Sequence, residues 1–238
     1  MGEFPTFWAL IVAAGSIGLV HTLIGPDHYL PFIAMSRAGQ WSLRKTIRVS
    51  FLCGLGHVGS SVVLGVLGAQ LAVGVGELVG IESVRGDLGT WLLVAFGFAY
   101  MVWGIRRAIR GQVHMHAHVH ENGTVHSHAH NHQTDHAHVH AGTGRSVMTP
   151  WILFTIFVFG PCEPLIPLLM YPALRHGWGP MLLVAGVFSL ATLATMLMLV
   201  LAGVVGVNRL RLGAFERYTH ALCGLAVLAC GGAMLLGF

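Results

Sequence analysis

Six long apolar runs separated by short polar connections set the layout of this chain. They cover residues 6–35, 47–74, 88–108, 150–173, 179–206 and 214–237. Each meets the roughly 20 mostly apolar residues that a helix needs to cross hydrocarbon. Two runs carry an interruption, Gly25-Pro26 in the first and Gly160-Pro161 in the fourth. The pattern predicts an all-α membrane protein with six transmembrane helices, two of them broken.

Composition changes the picture in one direction only. Of 238 residues, 55% are hydrophobic and 9% are charged, against roughly a quarter charged in soluble domains. So few charges cannot cover a surface facing water, so lipid is the solvent over most of the chain. The formal charge of +4 does not point to nucleic acid, because the basic residues lie in short loops between apolar runs. Cys53, Cys162, Cys223 and Cys230 all fall inside apolar segments without a CxxC pair, which predicts buried free thiols. The opening "MGEFPTF" has no Lys or Arg, so it lacks the positive region of a signal peptide, and the first run is expected to stay as a span.

The loop charges give an orientation. The first connection carries Arg37, Arg44, Lys45 and Arg48, the third Arg106, Arg107, Arg110 and Arg145, and the fifth Arg209, Arg211 and Arg217. The second and fourth hold only Arg85 and Arg175, beside Glu77, Glu82 and Asp87. Every other loop is basic, as six spans require. The positive-inside rule places the basic loops in the cytoplasm of a bacterial-type inner membrane and both termini outside.

The two interruptions are related. "GPDHYLPF" and "GPCEPLIPLL" are offset by 135 residues, and a polar pair follows each Gly-Pro, Asp27-His28 and then Cys162-Glu163. The same offset carries His57 onto Thr192. Three spans per half is an odd number, so the second copy must run upside down, the inverted-repeat plan of many secondary transporters. The chain divides into residues 1–110, a first three-span repeat; 111–149, a cytoplasmic histidine-rich disordered loop; and 150–238, a second three-span repeat. Pro26 cannot donate to the carbonyl of Thr22, nor Pro161 to that of Phe157. Bare backbone at membrane depth must be buried in protein or line a cavity. The breaks are therefore expected to face each other across a polar pocket, with freed carbonyls available to a cation or water.

Ionisable groups inside a bilayer cost at least a few kcal/mol each, about 2.5–3.5 on insertion scales, and mark functional sites by default. His21 and His28 are two helical turns apart, Asp27 joins them at the break, and His57 is the remaining deep histidine of the first half. Cys162 and Glu163 occupy the second break. Imidazole with one or two carboxylates suits nickel, cobalt or zinc, whereas calcium and magnesium want oxygen throughout. Plainer roles compete at each position. A membrane histidine can bond one helix to another, and Gly54, Gly56 and Gly59 beside His57 also suit close helix packing. Glu163 fits a ligand, a proton acceptor or a structural partner, and Cys162 fits core packing. Ser60, Ser61, Thr192 and Thr195 are expected mainly to satisfy helix backbone, and "MLMLV" at 196–200 to face lipid or core.

Between the third and fourth runs lie His114, His116, His118, His120, His126, His128, His130, His132, His136, His138 and His140. The segment lacks apolar periodicity, so a disordered loop is expected. Alternating His-x-His pairs chelate borderline metals; a neutral spacer is the plainer alternative.

"HTLIGPDH" and "GLGH" resemble the nickel/cobalt transporter family, whose hallmark is a His-x4-Asp-His motif in one membrane helix followed by a Leu-Gly-His helix. His21, Asp27, His28 and His57 match those positions, although five residues, not four, separate His21 from Asp27. The six-span length and histidine-rich loop look closer to the compact nickel/cobalt efflux proteins and the urease- or hydrogenase-accessory permeases. The resemblance implies transport of Ni2+ or Co2+ as substrate.

The leading expectation is accordingly a secondary transporter using a His/Asp site near the midplane, with Zn2+ as a further substrate and no permanently bound cofactor. A ligating imidazole must be unprotonated, so exchange against protons is a natural energy source. No Walker motif occurs, and the chain is not expected to be an enzyme. A sulfite- or organosulfonate-type exporter would want Arg or Lys in the pocket, where the sequence places none. "GPCEP" is similar to the broken helices of membrane thiol-electron carriers, but that chemistry needs a second sulfur where Asp27 stands. A metal sensor or store would use the loop and leave the buried polar groups unexplained. Expected partners are divalent metal ions and the lipid bilayer, with a homo-oligomer compatible with the sequence.

Overall fold

The computed structural model describes residues 3–110, 114–119, 125–130, 148–210 and 213–237. Among the described residues eight α-helices carry the fold: α1 Glu3–Ile24, α2 Leu30–Ala38, α3 Leu43–Gln70, α4 Val75–Arg110, α5 Met148–Phe159, α6 Leu165–Arg175, α7 Trp178–Arg209 and α8 Thr219–Leu235. Five stretches are long and apolar enough to cross a membrane: Phe7–Ile24, Leu43–Gln70, Val75–Arg110, Trp178–Arg209 and Phe215–Leu235. Helices α5 and α6, with 12 and 11 residues, are each too short, because Pro161 and Pro164 fall between them.

The connection between α3 and α4 is much tighter than the apolar pattern predicts. Expected as a polar loop over about 75–87, that stretch is the first third of α4, which runs unbroken for 36 residues. Helix formation satisfies its backbone, and its buried positions (Leu78, Glu82, Gly86, Gly89) recur at helical spacing. Glu77, Glu82, Arg85 and Asp87 are thus helical residues. The "MLMLV" stripe divides as a helix must: Met196 and Val200 are buried while Met198 is exposed.

Helix α1 packs on α7, α3 on α5, α6 and α7, and α4 on α8. One apolar cluster, with Phe32, Met35, Leu153, Phe157, Met196 and Val200, lies toward the Arg- and Lys-rich ends of the helices. A second, with Val58, Leu165, Leu169, Met181 and Phe188, lies toward the opposite ends. The outward faces, including Trp8, Leu52, Trp91, Phe98 and Leu190, are exposed.

Among the described residues the fold is helical apart from the histidine-rich segment. There, where composition predicts a disordered loop, two short antiparallel strands form, β1 His114–Val119 and β2 Val125–His130. Their register sets His114 opposite His130, His116 opposite His128 and His118 opposite His126. His120, His132, His136, His138 and His140 lie outside the described residues.

Candidate metal centre

The first break ends α1 at Ile24, where the Gly25 N–H still donates to the His21 carbonyl at 3.0 Å. Pro26 then opens a short 3-10 turn over Pro26–His28, closed by His28 N–H to the Gly25 carbonyl at 3.2 Å. Glycine is needed here for space: a Cβ on Gly25 would stand 2.6 Å from His28 Nδ1 and 2.7 Å from Asp27 Oδ1. Those two atoms are themselves bonded at 3.0 Å, and His28 Nδ1 also lies 3.1 Å from the Gly25 carbonyl. Both neighbours are acceptors, so in the neutral ring Nδ1 carries the hydrogen and Nε2 is left with a bare lone pair.

The same logic holds for His57 on α3. Its Nδ1 donates to the Phe157 carbonyl of the second break at 3.2 Å, which leaves Nε2 as the acceptor. His57 stands 14 residues from Leu43 and 13 from Gln70, so at 1.5 Å per residue it lies about 20 Å from either end of its helix. The ring centroids of His21 and His28 are 4.7 Å apart and those of His28 and His57 are 5.0 Å apart, both edge-on. The Nε2 atoms of His21, His28 and His57 are all buried without a hydrogen-bond partner. Buried polar atoms nearly always have one. At His28 and His57 the far nitrogen is held by a carboxylate or backbone carbonyl and the near one is free, the arrangement of metal-ligating histidines.

The structure sorts the residues that the sequence singles out. Donor atoms of His21, His57 and Cys162 lie within 4.8 Å of one another, so the extra residue before Asp27 does not remove His21 from the cluster. Asp27 orients His28 and borders a small void of about 20 Å³, together with His57, Phe157, Gly160 and Pro161. A space of that size holds one water or one ion. Glu163 stands farther out, lining a cavity of about 350 Å³ with His21, Asp27, His28, Ser83 and Asp87. The two breaks thus meet, as the chain pattern predicts.

The carbonyls of the second break are not free for a cation. The Phe157 carbonyl accepts from His57 and from Gly160 N–H. The Val158 carbonyl accepts from Arg85 at 2.7 Å and from Ser60 at 3.0 Å, and the Gly160 carbonyl accepts from Arg85 at 3.2 Å. Arg85 is held in turn by Glu82, which is fully buried. Glu82 Oε1 also accepts from Ser61 Oγ at 2.7 Å and from Cys162 N–H at 3.0 Å.

A cationic side chain therefore fastens the second break from inside α4, although neither cavity at the site is lined by an Arg or Lys. Its charge is already matched by Glu82, so it offers no free anion site. The pair escapes sequence reasoning because Glu82 and Arg85 look like ordinary loop charges. A signal exists in hindsight: they are spaced i, i+3 between small residues that recur at helical period.

The cysteines separate in the same way. All four are free, and Cys162 is in the cluster around Leu165, whereas Cys53, Cys223 and Cys230 belong to the cluster around Phe32. At the opposite end of α8, His220 Nδ1 bonds the Tyr100 hydroxyl at 2.9 Å, away from the buried histidines.

The chain matches no family model, no curated protein and no solved structure.

Proposed function

We propose that this protein is a secondary transporter of divalent transition-metal ions, Ni2+ or Co2+, through the site formed by His21, His28 and His57, with Asp27 as the orienting carboxylate. The observation that carries this reading is the trio of buried, unpartnered Nε2 atoms where two broken helices meet. Each lone pair in a membrane interior represents a cost of about 1–3 kcal/mol if left unsatisfied. A bound cation removes that cost for all three together. The same nitrogens take protons, so metal and protons compete, and a pH gradient supplies the driving force.

In this reading α1 and α2 form one broken span and α5 and α6 another, giving six spans in two inverted halves. The basic helix ends face the cytoplasm, and both termini lie outside. The cavity with Ser83, Asp87 and Glu163 is then the outer vestibule, where acidic groups attract a cation. Radioactive nickel and cobalt flux in oriented proteoliposomes under an imposed pH gradient tests the function. Metal-dependent flux above empty vesicles is expected, and none for either metal in either direction rejects it.

The histidine ribbon serves this function from the cytoplasmic side as a tethered metal buffer. Its histidines gather ions near the inner mouth and raise their local concentration. Deletion of 114–140 is expected to preserve maximal flux and to shift its dependence on cytoplasmic metal. Below about pH 6 the imidazoles protonate and the ribbon's contribution should vanish. Unchanged concentration dependence in the deletion would make the segment a spacer.

A further inference from the structure

Cys162 shares the narrow space of the buried histidines. Its side chain is fully buried, and its donor atom falls within 4.8 Å of those of His21 and His57. His57 is itself 2% exposed, with Nδ1 engaged and Nε2 unpartnered. Two further contacts fix the cysteine rather than leave it as filler. Its N–H donates to Glu82 Oε1 at 3.0 Å, and the Leu165 N–H returns to its carbonyl at 3.0 Å. The backbone at the second break is thereby pinned with the cysteine beside His21 and His57. Metal–nitrogen and metal–sulfur bonds of about 2.0–2.3 Å put neighbouring donors somewhat closer than 4.8 Å, so modest inward movement closes the set.

We propose that Cys162 is an inner-sphere thiolate ligand, so that its sulfur joins the nitrogens of His21, His28 and His57 around the ion. This deepens the transport reading and rests on it. It names the substrate class as thiophilic divalent ions, cobalt, nickel and zinc, and disfavours magnesium, calcium and manganese, which prefer oxygen. Glu163, the neighbouring residue, stays in the vestibule as an attracting charge. The coordination step balances simply: the Cys162 S–H bond breaks, a metal–sulfur bond forms, and one proton leaves toward the cavity. No electron is transferred.

Cobalt is the probe, because Co2+ bound to thiolate shows an intense near-ultraviolet sulfur-to-metal band and Co2+ bound to imidazole alone does not. The full chain, purified and titrated with Co2+, is expected to show that band at one thiolate per protein. The histidine ribbon contains no cysteine, so it does not contribute. Cys162→Ala and Cys162→Ser should each lose the band, keep visible ligand-field bands, and bind cobalt on the order of 10–100-fold more weakly. A variant lacking Cys53, Cys223 and Cys230 should keep it. Ligand-field bands without a thiolate band in the native chain would overturn the thiolate and leave the metal-transport reading standing. So would a band that survives both Cys162 substitutions. Absence of any cobalt signal in the 114–140 deletion would overturn both.

Discussion

His57→Ala should abolish metal flux while leaving a folded, membrane-inserted protein. The substitution removes one of three free nitrogens at the meeting of the breaks and one of two donors to the Phe157 carbonyl. The second loss is mild, because Gly160 N–H still donates to that carbonyl at 3.0 Å. The first is not. Even partners that merely orient a ligand cost about 10–100-fold in affinity when removed, so loss of a ligand should lower binding by on the order of 100-fold or more. His57→Gln should rescue folding and little else, since its amide can keep the backbone contact but is a poor metal donor. Calorimetric nickel titration of the 114–140 deletion reads the intramembrane site without the histidine ribbon. Native affinity in His57→Ala would remove His57 from the site.

Arg85→Ala should be the most destabilising single change in the molecule. It leaves Glu82 fully buried without its countercharge and strips donors from the Val158 and Gly160 carbonyls. Breaking a buried pair by removing one partner typically costs about 3–5 kcal/mol. Arg85→Lys should recover only part of this, because a compact ammonium cannot span the acceptors that a planar guanidinium reaches together. Replacing Glu82 and Arg85 together with Gln and Met should cost less than the two single changes combined, since no lone charge remains. Thermal unfolding of the purified variants in one detergent measures each of these. Stability of Arg85→Ala equal to the native chain would show that solvent, not the pair, holds the second break.

The two breaks are legible in the sequence because proline removes a donor wherever it falls, and Gly25-Pro26 and Gly160-Pro161 announce that loss locally. The meeting of the breaks follows from the membrane, which forbids bare backbone facing lipid. The histidines are legible for the same reason, since each is costly where it stands. What fastens the second break is not. Arg85 acts on Ser60 of α3, Val158 of α5 and Gly160 in the break, and nothing in its own neighbourhood along the chain reports those contacts. The length of α4 is hidden too, because its first third is amphipathic and reads as a loop when only apolar runs are scored. The division of labour between Asp27, which turns a histidine, and Cys162, which joins the donor cluster, is set by side-chain geometry at the breaks. Sequence spacing alone treats both as equal candidates.

The unequal filling of the two halves also has an electrical consequence. On the basic side of the histidines a layer of Phe32, Met35, Leu153, Phe157, Met196 and Val200 separates them from a cavity of about 380 Å³ at the helix ends, lined by Ser36, Arg37, Asn208 and His220, whereas on the other side His21 and His28 themselves line the cavity of about 350 Å³. Voltage across a membrane drops mainly where the dielectric is low, so the packed layer carries most of the field and the vestibule little of it. A potential of 100 mV is worth about 2.3 kcal/mol per elementary charge. On the transport reading, a divalent ion passing that packed layer feels most of roughly twice that energy, while reaching the site from the vestibule is nearly free of voltage. On the proposed orientation an inside-negative potential draws the ion inward across the packed layer. Export must overcome that pull at the one step where the ion leaves the cytoplasm.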